Sequence, residues 1–129
     1  MALTALAAML GLDRQVDVGA LPPPVDAAPT QQAAPELDAA VNAFSHGRYQ
    51  AGAGRYFTVA PGTSWQMVVK LLAEQPPLQG KATRVRYDWW RPGLDLVEVF
   101  DTGGGKGVAV AMQDRTVGYY PVTFAKGAR

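Results

Sequence analysis

The spacing of apolar residues predicts two short helices followed by a run of strands. The first helix starts at Pro35 and Glu36, because a proline and an acidic residue suit a first helical turn. Gly47 caps its end, and His46 falls in the last turn, where the helix dipole favours a cationic imidazole. The apolar stripe recurs at i, i+3, i+4 and i+7 and consists of Leu37, Ala40, Val41 and Phe44.

The second helix follows a short β-rich run at residues 55–59. Thr63–Gln66 fits a capping box, in which the Thr63 side chain accepts a hydrogen bond from the amide of Gln66. Pro76 and Pro77 stop the helix. Its apolar face is formed by Trp65, Val68, Val69 and Leu72.

From Lys81 onward the apolar period changes to two, which predicts four antiparallel strands joined by short loops. The glycine-rich residues 101–106 form a hairpin loop, and Asp114-Arg115 forms a tight turn. Pro121 has no amide hydrogen, so we expect the last strand to be an edge strand or to carry a bulge there. The predicted strands are residues 81–90, 94–100, 108–113 and 117–124.

These elements predict an α+β fold, a four-stranded antiparallel β-meander packed on one or two helices that lie on one face of the sheet. Trp65, Val68 and Leu72 would pack against that face through its alternate residues Val85, Tyr87 and Trp89. The opposite face would stay open to solvent. It would carry Arg84, Arg86, Asp88 and Trp90.

The first 35 residues differ in composition from the rest. Residues 1–12 are apolar but too short for a transmembrane helix, so no transmembrane segment is expected. Residues 21–35 contain five of the ten prolines, which favours an extended linker. We therefore expect residues 1–35 to be a Pro/Ala-rich leader, partly disordered or docked, and residues 36–129 to form a single α+β domain.

The compartment stays open between cytoplasmic and exported. Val18-Gly19-Ala20 has the small-residue spacing of a secretory cleavage site, but neither Lys nor Arg precedes the apolar run at residues 1–12. A short amphipathic helix that docks on the domain or on a partner explains these residues equally well.

Composition excludes several chemistries in this chain of 129 residues. The absence of cysteine excludes disulfides, thiol nucleophiles, iron–sulfur clusters and Cys-based zinc sites, and the single histidine excludes His-cluster metal sites. We therefore expect neither a cofactor nor a metal ion. Residues 101–107 resemble a phosphate loop only superficially, because Lys106 precedes a glycine and a strand rather than Ser/Thr and a helix.

Charge is distributed unevenly along the chain. Residues 1–46 hold one arginine and five carboxylates, whereas residues 47–129 hold eleven Lys or Arg and six carboxylates. This asymmetry fits an anionic partner, an acidic leader lying against its own basic domain, or ordinary scatter on a solvated surface.

The favoured function is a non-enzymatic accessory module that recognises a partner protein, because Trp, Tyr and Arg are the usual anchors of such contacts. One route is the sheet face, and the other is strand addition at an edge near Tyr119 and Tyr120. In a purely structural alternative the tryptophans fill the two sheet faces and the arginines pair with carboxylates. The residues assigned to the face route are Arg84, Arg86, Asp88, Trp90 and Arg91.

Two alternative functions use some of the same residues. Arginines beside an exposed tryptophan suit single-stranded nucleic acid, because they hold phosphates while the ring stacks on a base. A small hydrolase would use Glu98, whose pKa partial burial would raise, together with a second carboxylate in one cleft. The sequence assigns no catalytic residue. The candidate acid/base groups are Asp88, Asp95, Glu98, Asp101 and Asp114.

Overall fold

The computed structural model describes residues 17–30, 34–45, 47–79, 82–83 and 96–125, and these residues form an α+β fold. The helices are α1 (Pro35–Phe44) and α2 (Trp65–Ala73). Two short 3-10 turns lie at Val18–Ala20 and Pro76–Leu78. The strands are β1 (Ala28–Thr30), β2 (Tyr49–Ala51), β3 (Arg55–Thr58), β4 (Ala82–Thr83), β5 (Leu96–Gly103), β6 (Lys106–Gln113) and β7 (Thr116–Phe124).

The strands form one antiparallel sheet with the order β1-β3-β7-β6-β5-β4. β2 lies beside the C-terminal end of β7. The predicted meander corresponds to β4 to β7, which are neighbours in sequence order. The predicted count of four strands is wrong, because six strands follow one another across the sheet and β2 joins them. Within the described part of residues 81–124 there is no helix.

β7 is an interior strand, which corrects the expectation of an edge at Pro121. β3 and β2 flank the two ends of β7 on one side, and residues 52–54 oppose only residues 120–121 between them. The Gly52 amide donates to the Pro121 carbonyl over 2.8 Å. Since the nitrogen and carbonyl of one strand residue face the same side, the missing donor of Pro121 faces this bulge. This bulge lies in residues 52–54, whereas β7 itself pairs with β6 without a register shift.

Each face of the sheet is covered by a helix, so the expectation that both helices share one face is wrong. α1 contributes Leu37 and Val41 to one core, and α2 contributes Val68 and Leu72 to another core on the opposite face. The cause lies in β6, where residues 107–112 are all buried. Its side chains alternate between the α2 face (Val108, Val110 and Met112) and the α1 face (Ala109 and Ala111).

The two helices begin and end close to the predicted residues. Gly47 has φ +79° just beyond α1, as a C-terminal cap requires. α2 is capped by Ser64, not Thr63: the helix begins at Trp65, and the Ser64 Oγ accepts from the Met67 amide over 3.2 Å. His46 lies outside the described residues.

Residues 17–30, which we call the N-terminal strap, lie against the sheet on the α2 side. Asp17 caps the first turn by accepting from the Gly19 amide, and Leu21 is only 5% exposed within the core. The Ala27 amide donates to the Pro24 carbonyl over 3.1 Å, which turns the chain into β1. The strap therefore contributes to the fold. Residues 1–16 of the predicted leader lie outside the described residues.

Candidate functional site

The two tyrosines predicted at an edge are buried inside the sheet. Tyr119 is 0% exposed and Tyr120 is 1% exposed, and they belong to the cores on opposite faces of β7. Because β7 has a neighbouring strand on each side, strand addition beside these tyrosines is not available to a partner. The expectation that these two tyrosines lie at a sheet edge is therefore wrong.

Tyr120 instead joins a polar cluster that ties α1 to the sheet, which we call the Asp38 clasp (Asp38, Tyr56 and Tyr120). The Tyr120 and Tyr56 hydroxyls both donate to Asp38 Oδ1, over 2.7 Å and 2.5 Å. Burial first, and then the hydrogen bond and charge of Asp38, raise the pKa of Tyr56 to about 12 and also raise that of Tyr120. Both hydroxyls are therefore neutral donors at physiological pH.

Two glycines make room for the Tyr120 ring. A Cβ at Gly54 would lie 2.6 Å from the ring atom Cε2, and a Cβ at Gly118 would lie 2.8 Å from Cε1. Gly54 is the last residue of the bulge, and Gly118 precedes Tyr120 by two residues on the same strand face. The ring also meets Tyr56 edge to face, with centroids 6.1 Å apart. The clasp is thus fixed by packing as well as by hydrogen bonds.

Tyr119 belongs to a second arrangement, which we call the strap groove (Arg55, Phe57 and Tyr119). The Tyr119 hydroxyl donates to the Pro22 carbonyl over 2.9 Å, and Arg55 Nη1 donates to the Gly19 carbonyl over 2.7 Å. The guanidinium carbon lies 5.1 Å from the Phe57 ring centroid. Burial raises the pKa of Tyr119, and the charge of Arg55 offsets part of that rise.

Glu98 and Asp101, the two described candidates for hydrolysis on β5, do not lie on one face of the strand. Glu98 is half-buried on β5 opposite Val110, while Asp101 accepts from the Gly103 amide over 2.9 Å at the end of the same strand. An odd spacing of three places them on opposite faces of the strand. Asp88 and Asp95 lie outside the described residues. Among the residues that the structure describes, no group of three or more His, Asp and Glu side chains could hold a metal ion.

The glycine-rich segment is a hairpin tip. β5 and β6 pair up to Gly103 and Lys106, and Gly104 and Gly105 form the turn with positive φ. The Thr102 hydroxyl donates to the Lys106 carbonyl over 3.1 Å, which closes the hairpin. The chain continues as a strand after Lys106, so a phosphate loop is absent from this segment.

β1 lies at one end of the strand order and carries a proline. The Val59 amide donates to the Arg115 carbonyl, so alternation directs the backbone groups of Phe57 towards β7. Pro29 is opposite Phe57, in a pair without hydrogen bonds between β1 and β3. Its missing donor therefore faces away from β3. A proline in this position discourages the addition of another strand.

A shallow depression of about 240 Å³ lies between the first turn of α1 and the β6–β7 turn. Its polar side chains are Glu36, Gln113 and Thr116, and Leu37 contributes to its wall. Nothing in the sequence pattern singled out this place. Arg55, Tyr56 and Asp38 were also missed, because their partners lie far away in the sequence.

The basic and aromatic residues predicted to bind a partner are Arg84, Arg86, Asp88, Trp90 and Arg91, and they lie outside the described residues. The strands on either side of these residues are described. Thr83 in β4 pairs with Val99 in β5, and β5 begins at Leu96. The segment therefore connects two neighbouring antiparallel strands.

Comparison of the chain with protein-family models, curated proteins and solved structures finds no match. In the part of the chain that the structure describes, neither helix has the length and hydrophobicity needed to cross a bilayer.

Proposed function

We propose that this protein is a non-enzymatic module that recognises a partner protein through residues 84–91, which we call the Arg/Trp segment. The observation that carries the proposal is the composition of this connection between β4 and β5. It combines three arginines with two tryptophans, at Arg84, Arg86, Arg91, Trp89 and Trp90. These residue types dominate the binding energy of protein interfaces.

The described neighbours of the segment support this placement. β4 pairs with β5 and closes the strand order on that side among the described strands. The connection therefore starts after Thr83 of β4, the last described strand on that side, and ends at Leu96 of β5. Connections of this kind carry recognition residues more often than the elements that they join.

Two other routes to a partner have less support. The described part of the sheet has a helix on each face, so neither face is open for a partner to bind there. The outer side of β1 presents Pro29 where an added strand would need a donor. Binding through the Arg/Trp segment requires neither an open sheet face nor the outer side of β1.

The test compares capture of binding proteins from an extract of the source cells by four full-length chains. Arg84→Glu/Arg86→Glu and Trp90→Ala should each reduce the recovery of a retained protein at least tenfold relative to the unmodified chain. Arg48→Glu/Lys70→Glu is the matched control, because it reverses the same amount of charge at two exposed described positions. Equal recovery with all four chains would reject the proposal.

The same variants separate protein binding from nucleic-acid binding. If the segment bound single-stranded nucleic acid, the affinity for an oligonucleotide would fall steeply with salt, and both Arg84→Glu/Arg86→Glu and Trp90→Ala would abolish it. We expect the chain to bind the oligonucleotide only weakly, and we expect Arg48→Glu/Lys70→Glu to reduce this binding as much as Arg84→Glu/Arg86→Glu does. A steep salt dependence that is confined to the segment variants would replace a protein partner with nucleic acid.

A further inference from the structure

We propose that the strap groove is a binding site for proline-containing peptides that consist of a short turn and an extended segment, and that residues 17–24 of the same chain occupy it. The site shares no residue with the Arg/Trp segment, and the inference does not depend on the function proposed for that segment. The groove is formed by Arg55, Phe57 and Tyr119 on the α2 face of β3 and β7.

The polar side chains of the groove donate hydrogen bonds to backbone carbonyls of its occupant. Arg55 Nη1 donates to the Gly19 carbonyl and the Tyr119 hydroxyl donates to the Pro22 carbonyl. Every peptide has such carbonyls, so these two contacts do not depend on the side chains of the occupant. One carbonyl belongs to the 3-10 turn, at Gly19, and the other to the residues that follow the turn, at Pro22.

The part of the occupant that follows the turn is an extended, proline-containing segment. Leu21 has φ −74° and ψ 144°, the values of a polyproline II helix, and Pro22–Pro24 follow it directly. This conformation leaves its carbonyls without internal partners, and grooves lined by aromatic residues commonly bind it. The Phe57 and Tyr119 rings, with centroids 4.9 Å apart, supply such a surface.

One side chain of the occupant adds selectivity. Leu21 is 5% exposed and lies in the core formed with Phe57, Val68 and Tyr119. The groove therefore selects a large apolar residue immediately before the prolines. Val25, by contrast with Leu21, is 53% exposed and follows the residues that occupy the groove.

Residues 17–24, which we call the leg of the strap, occupy the groove and are not part of the sheet. Pairing with β3 is confined to the three residues of β1, and residues 21–24 have no regular hydrogen-bonded structure. The leg can therefore leave while β1 stays paired. A peptide in solution competes with a tethered leg whose effective concentration is in the millimolar range. A substitution that weakens the binding of the leg to the groove should therefore increase the affinity of the groove for the peptide.

The test uses full-length chains and a fluorescent peptide with the sequence of residues 17–25. Leu21→Ala in the protein weakens the leg, and this variant should bind the peptide at least tenfold more tightly than the unmodified chain. Val25→Ala is the matched control, because it shortens an exposed side chain of the strap, and it should bind like the unmodified chain. A peptide carrying Leu21→Asp should bind to none of them. Equal peptide affinity of folded Leu21→Ala and unmodified chains would overturn the inference.

A second measurement covers the case in which Leu21→Ala fails to fold. Several millimolar of the unlabelled peptide is added to the unmodified, isotopically labelled chain. The amide resonances of Arg55 and Tyr119 should shift with this peptide and not with the Leu21→Asp peptide. The absence of any difference between the two peptides would overturn the inference. The Arg84→Glu/Arg86→Glu chain should respond like the unmodified chain, which separates this site from the Arg/Trp segment.

Discussion

The Tyr120 hydroxyl donates to Asp38 Oδ1 over 2.7 Å and thereby joins strand β7 to helix α1 across 82 positions of sequence. Tyr56 donates to the same oxygen from β3. Three elements that are distant in sequence therefore meet at one carboxylate. Because the hydroxyl of Tyr120 lies in a core where its ring is 1% exposed, loss of the acceptor leaves a buried donor without its partner.

Removal of this carboxylate should destabilise the protein. Asp38→Ala deletes the acceptor of two hydrogen bonds, and hydrogen bonds to a charged group contribute about 1.5 to 3 kcal/mol each, so we expect a loss of about 3 kcal/mol in the free energy of unfolding. Chemical denaturation measures it. Glu36→Ala, an exposed acidic residue of the same helix turn, is the control and should cost about 0.5 kcal/mol. Equal losses would contradict the role of the clasp.

The slot around the Tyr120 ring should not accept a methyl group. In Gly118→Ala the new Cβ would lie 2.8 Å from Cε1 of the ring, so we expect a loss of about 2 kcal/mol from overpacking. The double variant Gly118→Ala/Tyr120→Ala should be no less stable than Tyr120→Ala alone, because the clash disappears with the ring. Additive losses in this cycle would show that the cost of the methyl group has another origin.

Stability should fall in alkali. Burial raises the pKa of Tyr49 and Tyr56 to about 12 and also raises those of Tyr119 and Tyr120, compared with 10.0 for an unperturbed tyrosine. Above pH 10 the unfolded chain loses these protons first, so the free energy of unfolding should be unaffected by these groups below pH 10 and decrease between pH 10 and 12.

Denaturation at a series of pH values, combined with tyrosine absorbance, checks this expectation. Ionisation of the four described tyrosines should accompany unfolding. A titration of all tyrosines near pH 10 in a chain that stays folded would contradict it.

The strap should contribute to global stability. Leu21→Ala removes a side chain that is 5% exposed and should cost about 2 to 3 kcal/mol, as large-to-small changes in cores do. Val25→Ala should change the free energy of unfolding by less than about 0.5 kcal/mol, because this side chain is 53% exposed. If both substitutions had the same small effect, the strap would not be part of the cooperative unit.

Local patterns predicted the local elements well. The i, i+3, i+4 spacing located α1, because this helix buries one face at fixed intervals. The β-rich runs between predicted turns located β5, β6 and β7. The glycine-rich tip and the Asp114-Arg115 turn followed from turn chemistry. The N-cap differed by one residue, since Thr63 and Ser64 can both act as an acceptor at the start of α2.

The arrangement of the elements was harder to predict. The continuous apolar run of Val108 to Met112 is typical of a strand covered on both faces, and the expectation of a single covered face disagrees with this pattern. The docking of Leu21 and the meeting of Asp38 with Tyr120 have no local signature, because they depend on contacts between distant segments. Pro121 was compatible with an edge or a bulge, and only the pairing with β2 and β3 decides between them.

The central claim is that a partner protein contacts the Arg/Trp segment, and hydrogen exchange tests it most directly. Exchange would be measured by mass spectrometry on the full chain, alone and with the partner that the capture experiment recovers. We predict that the protection gained on binding is confined to peptides that span residues 84–91. Protection that appears instead on α1 or α2, with none at residues 84–91, would contradict the claim.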